Sequence, residues 1–109
     1  MSDLAQKQCI PCKGGVPPLQ GAALQDLLAR LGGGWRIVDG HHLEKDYAFP
    51  SFQENIAFLN RVAAVAEAQG HHPEMRVGFR NLTMTVWTHK IDGLTESDFI
   101  FAAKADAAR

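Results

Sequence analysis

The chain has 109 residues, of which 46% are hydrophobic and 21% charged, and its formal net charge is -1 at pH 7. This length allows one domain around one core, and the balance of apolar and charged residues is that of a globular protein, not a disordered one. The 11 Lys and Arg form no basic block, which argues against a nucleic-acid partner, and no apolar run is long enough to predict a membrane span.

Residues 1–18 are predicted to form a flexible arm, because they are rich in Gly and Pro and show no hydrophobic period. Residues 1–8 lack the apolar core of a secretory signal, so we expect a cytoplasmic protein. Cys9 and Cys12 are too few for a zinc site, and the nearby Gly and Pro disfavour the helix of a redox C-x-x-C motif. We interpret them as an ordinary part of the arm, with redox chemistry or metal binding between chains as the alternative. Residues 19–109 are expected to form a single domain.

The first half of this domain predicts a helix and a β-hairpin. Leucines spaced i, i+3, i+4, i+7 predict a helix over about 19–31, which three glycines end. Strands are predicted over 35–38 and 41–49. Asp39-Gly40 between them is typical of a type I′ turn, which needs positive φ at both positions.

The second helix has the clearest boundaries. Ser51 is a favourable N-cap, Glu54 completes a capping box, and Gly70 ends the helix. Its predicted apolar stripe consists of Phe52, Ile56, Leu59, Ala63 and Ala66, with Phe58, Val62 and Val65 beside it.

A second hairpin and a third helix complete the domain. Alternating apolar residues predict strands over 75–79 and 82–86, with Arg80-Asn81 as the turn. Thr95 caps the third helix, which is apolar around so much of its circumference that we expect a subunit interface there. The order α-β-β-α-β-β-α predicts a two-layer α+β fold, in which three helices cover one face of a four-stranded antiparallel sheet.

The five histidines are the most informative polar residues. His41 and His42 follow the first hairpin turn and are interpreted as surface residues. His71 and His72 precede the second hairpin and His89 ends it, so the hairpin should bring these three rings to one edge of the sheet. Imidazole exchanges protons near neutral pH, which suits general acid–base catalysis.

Two other interpretations of these three histidines remain open. Histidines just after a helix can bond its free carbonyl groups and complement its dipole. A zinc site is the other possibility, although adjacent histidines rarely point the same way and no cysteine lies nearby in the sequence.

A longer motif surrounds the histidines. It reads Glu67-x-x-x-His71-His72-Pro73, five residues, Phe79, nine residues, His89, eight residues, Asp98. This pattern resembles the signature of the pterin-4a-carbinolamine dehydratases, also called 4a-hydroxytetrahydrobiopterin dehydratases, and the resemblance extends over residues 19–108. The C-I-P-C arm is similar to that of bacterial members. Gly70 and Met75 stand where animal members have an acidic residue and a tryptophan.

The resemblance implies a hydro-lyase that removes water from 4a-hydroxytetrahydrobiopterin to give the quinonoid dihydropterin. Such an enzyme recycles the tetrahydrobiopterin used by an aromatic amino acid hydroxylase. His71 and His89 would share the acid–base work, and His72 would mainly hold the pterin. Pro73 and Thr88 would form the pocket wall. The resemblance implies no metal and no bound cofactor.

Three other motif residues have both a functional and a structural interpretation. Asp98 is expected at the substrate, or only as the capping-box partner of Thr95. Glu67, one helical turn before His71, would orient that ring or be solvated. Trp35 would stack on the pterin or lie in the core.

The resemblance also implies partners. Family members form homodimers and homotetramers with sheets joined edge to edge, and we expect neither nucleic acid nor membrane as a partner. The alternative function is a non-catalytic module like the relatives that act as transcriptional coactivators or assist rubisco assembly, with the third helix as the binding surface. A plain interaction domain is a further possibility. Assembly relatives tend to lose the histidines, so their presence here favours the enzyme.

Overall fold

A computed structural model of the chain describes residues 3–8 and 17–109. Cys9 and Cys12 lie outside the described residues, so their interpretation stays a prediction. In chain order, the elements are a short 3-10 helix (Asp3–Gln6), α1 (Ala22–Leu31), β1 (Arg36–Val38), β2 (His42–Ala48), α2 (Phe52–Gln69), β3 (Glu74–Val77), β4 (Asn81–Val86) and α3 (Glu96–Ala107). The predicted α+β order is confirmed.

The four strands form one antiparallel sheet in the order β1-β2-β4-β3. The two hairpins therefore meet where β2 pairs with β4, with Leu43 opposite Val86 and Tyr47 opposite Leu82. These four side chains are buried beneath the helices. The residues that alternate with them point to the other, open face of the sheet, where charged and threonine side chains predominate.

The two hairpin turns differ in how well the sequence predicted them. Asp39 and Gly40 have φ of 55° and 64°, as a type I′ turn requires, and this prediction is confirmed. The second turn lies one residue earlier than predicted, at Phe79-Arg80. The Gly78 N–H donates to the Asn81 carbonyl at 2.7 Å, which makes Asn81 the first residue of β4.

Helix α2 begins and ends as predicted, but it buries a different face. The Ser51 hydroxyl accepts the Glu54 N–H, and Gly70 ends the helix with φ of 64°. The buried residues are Asn55, Phe58, Val62 and Ala66. Of the predicted stripe, only Ala66 is buried, whereas Phe52 and Ala63 are exposed. The buried face is centred instead on Phe58 and Val62, which were predicted to lie beside the stripe. The cause is polar: the Asn55 amide turns inward to donate to the carbonyls of the β3–β4 turn at 3.0 and 2.9 Å.

Helix α3 is the central helix of the domain. It packs against α1, α2 and the 3-10 helix, and its residues 97–103 and 105 are all buried. Leu4 of the 3-10 helix is fully buried, and Lys104 donates to the Ala5 carbonyl at 2.9 Å. The expectation of an exposed apolar face on α3 is therefore wrong, because other parts of the same chain cover that face. None of the described helices has the length and apolarity needed to cross a bilayer.

Candidate active site

A fully buried carboxylate, Asp98, lies between the start of α3 and the end of β4. Its Oδ2 accepts the Thr95 N–H and the Thr88 hydroxyl, both at 2.8 Å. Its Oδ1 lies 2.7 Å from Nε2 of His71. Asp98 is thus the capping-box residue, as one interpretation expected, and also a hydrogen-bond partner of a candidate catalytic histidine. Its expected contact with the substrate stays a prediction.

His71 reaches Asp98 because the chain turns sharply at the end of α2. Gly70 takes the left-handed conformation, and the His71 N–H donates to the Ala66 carbonyl at 3.2 Å. The side chain then points inward with only 12% of its surface exposed, and its ring lies 5.7 Å from that of Phe101. A carboxylate can only accept, so Nε2 of His71 carries the hydrogen in this contact.

His72 points the other way. Its side chain is 61% exposed, and Nε2 lies 2.5 Å from the Glu67 carboxylate. Glu67 therefore contacts His72 and not His71, which argues against the interpretation that it orients His71. Its side chain is mostly exposed, in agreement with the alternative that it is solvated. Pro73 is half-buried immediately before β3, and its place in a pocket wall stays a prediction.

His89 begins a tight turn at the end of β4. The Thr88 N–H donates to the Gly93 carbonyl at 2.9 Å, and the Asp92 N–H donates to the Thr88 carbonyl at 2.9 Å. Thr88 is buried, whereas His89 is exposed and lies against Trp87 with ring centres 4.4 Å apart. Asp98 thus contacts His71 directly and contacts Thr88, the residue that precedes His89.

Trp35 lies in a second polar cluster, apart from these contacts. It is 6% exposed, and its indole N–H donates to Asp106 Oδ2 at 3.0 Å. Asp106 Oδ1 also accepts from Lys45 at 2.8 Å and from Tyr47 at 2.6 Å. Burial, and then the hydrogen bond to Asp106, raise the pKa of Tyr47 well above its usual range. These contacts favour the core interpretation of Trp35.

The sequence did not select as site residues Trp87, which lies against His89, or the two histidines beside Trp87. The rings of His41 and His42 lie 5.5 and 6.1 Å from Trp87, and His41 Nε2 lies 2.8 Å from an Asp92 oxygen. The strand pairing contains the signal: Leu43 lies opposite Val86, so the residue before Leu43 approaches Trp87. That register could not be read from β2 or β4 alone. Within residues 3–8 and 17–109, no group of three or more His, Cys, Asp or Glu side chains is arranged to hold a metal ion.

Relatives of known structure resemble the chain over most of its length. A crystal structure of a transcriptional coactivator/pterin dehydratase from Brucella melitensis superposes with a TM-score of 0.78 at 30% identity, covering 84% of this chain and 97% of that one. A pterin dehydratase-like protein described as a RuBisCO assembly factor of the alpha-carboxysome gives a TM-score of 0.62 at 30% identity, covering 72% and 92%.

Sequence comparisons agree with these structures. A Rubrobacter xylanophilus protein with the provisional name pterin-4-alpha-carbinolamine dehydratase is 56% identical over 106 residues, which is 97% of this chain and 98% of that protein. A Rickettsia bellii protein with the same provisional name is 50% identical over 103 residues, covering 94% and 91%. The family model described as pterin 4 alpha carbinolamine dehydratase matches residues 17–108. The chain therefore belongs to the pterin-4-alpha-carbinolamine dehydratase family of hydro-lyases.

Proposed function

We propose that the chain dehydrates 4a-hydroxytetrahydrobiopterin to the quinonoid dihydropterin, with His71 and His89 as its acid–base pair. One imidazole protonates the C4a hydroxyl as it leaves as water, and the other takes the proton from N5. The observation that carries this proposal is the pair of contacts made by Asp98, 2.7 Å to His71 and 2.8 Å to Thr88 beside His89. The activity would serve an aromatic amino acid hydroxylase in the cytoplasm.

The surroundings of His71 and His89 support their use as an acid–base pair. His71 is mostly buried and has one nitrogen held by a carboxylate, which sets its tautomer and stabilises the imidazolium during turnover. His89 is exposed and lies on the Trp87 indole, so its ring can reach a ligand from solvent. Loss of water transfers no electrons, so two proton carriers are sufficient for the net reaction.

His72 is proposed as a binding residue. Its ring is exposed, and Glu67 holds one of its nitrogens, so the other is available to donate to or accept from the pterin. Thr88 is proposed to act mainly through Asp98, because its hydroxyl already donates to that carboxylate.

A homodimer or homotetramer is part of the proposal, and a protein-binding role is the second candidate function. Strand β3 is an edge of the sheet, and exposed apolar side chains lie at its turn end: Phe79 is 68% exposed and Val77 38%. Phe52 lies at the start of α2, which Asn55 ties to the same turn. Edge strands and apolar patches of this kind favour contacts with another chain. We therefore place the assembly surface at this end of β3 and not on α3.

The test is the rate at which freshly generated 4a-hydroxytetrahydropterin disappears, measured with a metal chelator present. We expect the wild type to exceed the spontaneous rate, and His71→Ala and His89→Ala each to lose about 10²–10⁴-fold in kcat. His72→Ala should mainly raise KM. Circular dichroism of each variant establishes that it is folded. A folded wild type that gives no acceleration would eliminate the enzyme and favour the protein-binding role.

A further inference from the structure

His41 and His42 point their Nδ1 atoms at each other across 3.1 Å, with the ring planes at 81°. Adjacent residues of a strand point to opposite faces, but His41 belongs to the turn and only His42 belongs to β2. The alternation of side chains along a strand therefore does not place these two rings on opposite faces of the sheet. His71 and His72 contrast with them, because those rings diverge to Asp98 and Glu67.

We propose that His41 and His42 form a binding site for one divalent transition-metal ion, with Nδ1 of each ring as a ligand. Metal–imidazole bonds are about 2.05 Å long, so two nitrogens 3.1 Å apart subtend an angle of about 98° at one metal. That angle suits the tetragonal geometry of Cu²⁺ and is near the tetrahedral geometry of Zn²⁺. The rings need only rotate so that both lone pairs meet at the metal.

The far nitrogen of His41 has the partner that metal-bound histidines usually have. Nε2 lies 2.8 Å from Asp92 Oδ1, so it carries the hydrogen and leaves a lone pair on Nδ1. Without metal, the hydrogen shared between the two Nδ1 atoms therefore belongs to His42. Metal binding moves that hydrogen to Nε2 of His42 through solvent, with no net release of protons. The backbone hydrogen bond from Asp92 to Thr88 fixes the backbone that carries this carboxylate.

The surroundings suit an open site. Trp87 lies beside both rings at 5.5 and 6.1 Å and covers one side with apolar surface. The described part of the chain brings no cluster of three or more candidate ligands together, so water would complete the coordination. Among ions that prefer imidazole, Cu²⁺ binds such nitrogen sites most tightly, which makes it the appropriate probe. None of this depends on the dehydratase proposal.

Trp87 provides the measurement, because bound Cu²⁺ quenches a nearby indole. The chain has two tryptophans, and Trp35 lies in the other cluster, at Asp106. The experiment is a Cu²⁺ titration of the full chain carrying Cys9→Ser and Cys12→Ser, which removes thiols that would bind or reduce the ion. We expect saturable quenching with one equivalent of Cu²⁺.

The variants decide whether the imidazole pair is the site. His41→Ala and His42→Ala should each abolish the saturable quenching, and the matched control His72→Ala should retain it. Asp92→Asn, which tolerates the same backbone conformation, should weaken binding about tenfold. Circular dichroism checks the fold of each variant, and the electron paramagnetic resonance spectrum should show two nitrogen ligands. Quenching that survives in either alanine variant, a spectrum with a single nitrogen, or no saturable quenching in the parent would overturn the proposal.

Discussion

Helix α3 carries two aspartates with several hydrogen-bond donors each, one near each end of the helix. Asp98 and Asp106 are eight residues apart, or about 12 Å along the helix. Asp106 is matched by the permanent charge of Lys45 and by two neutral donors. Asp98 is fully buried, and its only titratable partner among the described contacts is His71.

The difference in partners determines what each carboxylate can do. Buried charge is tolerated when it is paired and hydrogen-bonded. At Asp106 a permanent cation balances the charge, so the contacts at this end of the helix stabilise the fold. In the proposed mechanism the balance at Asp98 depends on whether His71 carries its second proton, so this end would change its charge state during a proton transfer. The following predictions test that contrast, in order of decreasing effect.

Asp98→Asn should lower kcat/KM by about 10²–10⁴-fold, because an amide no longer dictates the His71 tautomer or stabilises its imidazolium. Asp106→Asn is the matched control and should leave the rate unchanged within error. The measurement is the dehydration rate of both variants, with circular dichroism to check folding. Equal losses of rate in the two variants would remove the functional distinction between the two ends of α3.

Asp106→Ala should lower the free energy of unfolding by about 3 kcal/mol, because Lys45 is left without its partner in a mostly buried position. Urea denaturation followed by circular dichroism measures this loss. The double variant Lys45→Met/Asp106→Leu should recover part of it, since no charge is then buried alone. Unchanged stability in Asp106→Ala would contradict the proposal that Asp106 stabilises the fold.

Tyr47 should make the protein less stable at alkaline pH. Its pKa is raised in the folded chain by burial and by the Asp106 hydrogen bond, whereas the unfolded chain loses this proton near pH 10. Below that pH both states hold the proton. Above it only the folded state does, so the free energy of unfolding falls by about 1.4 kcal/mol per pH unit.

Because Tyr47 is the only tyrosine, absorbance at 295 nm reports it directly. Tyrosinate should appear together with unfolding, and Tyr47→Phe should flatten the alkaline slope. Ionisation near pH 10 in the folded protein would show that the Asp106 cluster is open to water.

Trp35→Phe should cost about 1 kcal/mol of stability, the usual net value of one hydrogen bond, and should leave KM unchanged. The measurement pairs urea denaturation with steady-state kinetics. A raised KM at unchanged stability would instead indicate that Trp35 contacts the pterin.

The sequence predicted local structure better than the choice of buried faces. Ser51, Gly70 and Asp39-Gly40 act through their own backbone conformations, so the boundaries that depend on them were predictable. The face of α2 was not, because Asn55 turns inward to carbonyls that are close only after folding.

The candidate site shows the same limit. Sequence spacing and the family resemblance selected His71, His89 and Asp98, and the Asp98 contacts bring the first and last of these together. The convergence of His41 and His42 beside Trp87 depends on strand register and on a turn residue outside the pleat, which no spacing rule describes. The apolar circumference of α3 was recognised, but the pattern could not say that the same chain covers it.

The central place of α3 has a consequence for how the protein is made. It is the last element along the chain, yet α1, α2 and the 3-10 helix at Asp3–Gln6 all pack on it. A ribosome adds about 5–20 residues per second, so both hairpins and two helices emerge before the helix that closes their core. Contacts between such distant segments also slow folding. A nascent chain that stops before Glu96 would lack the helix on which α1, α2 and the 3-10 helix pack, so the domain can complete its core only once synthesis has passed α3.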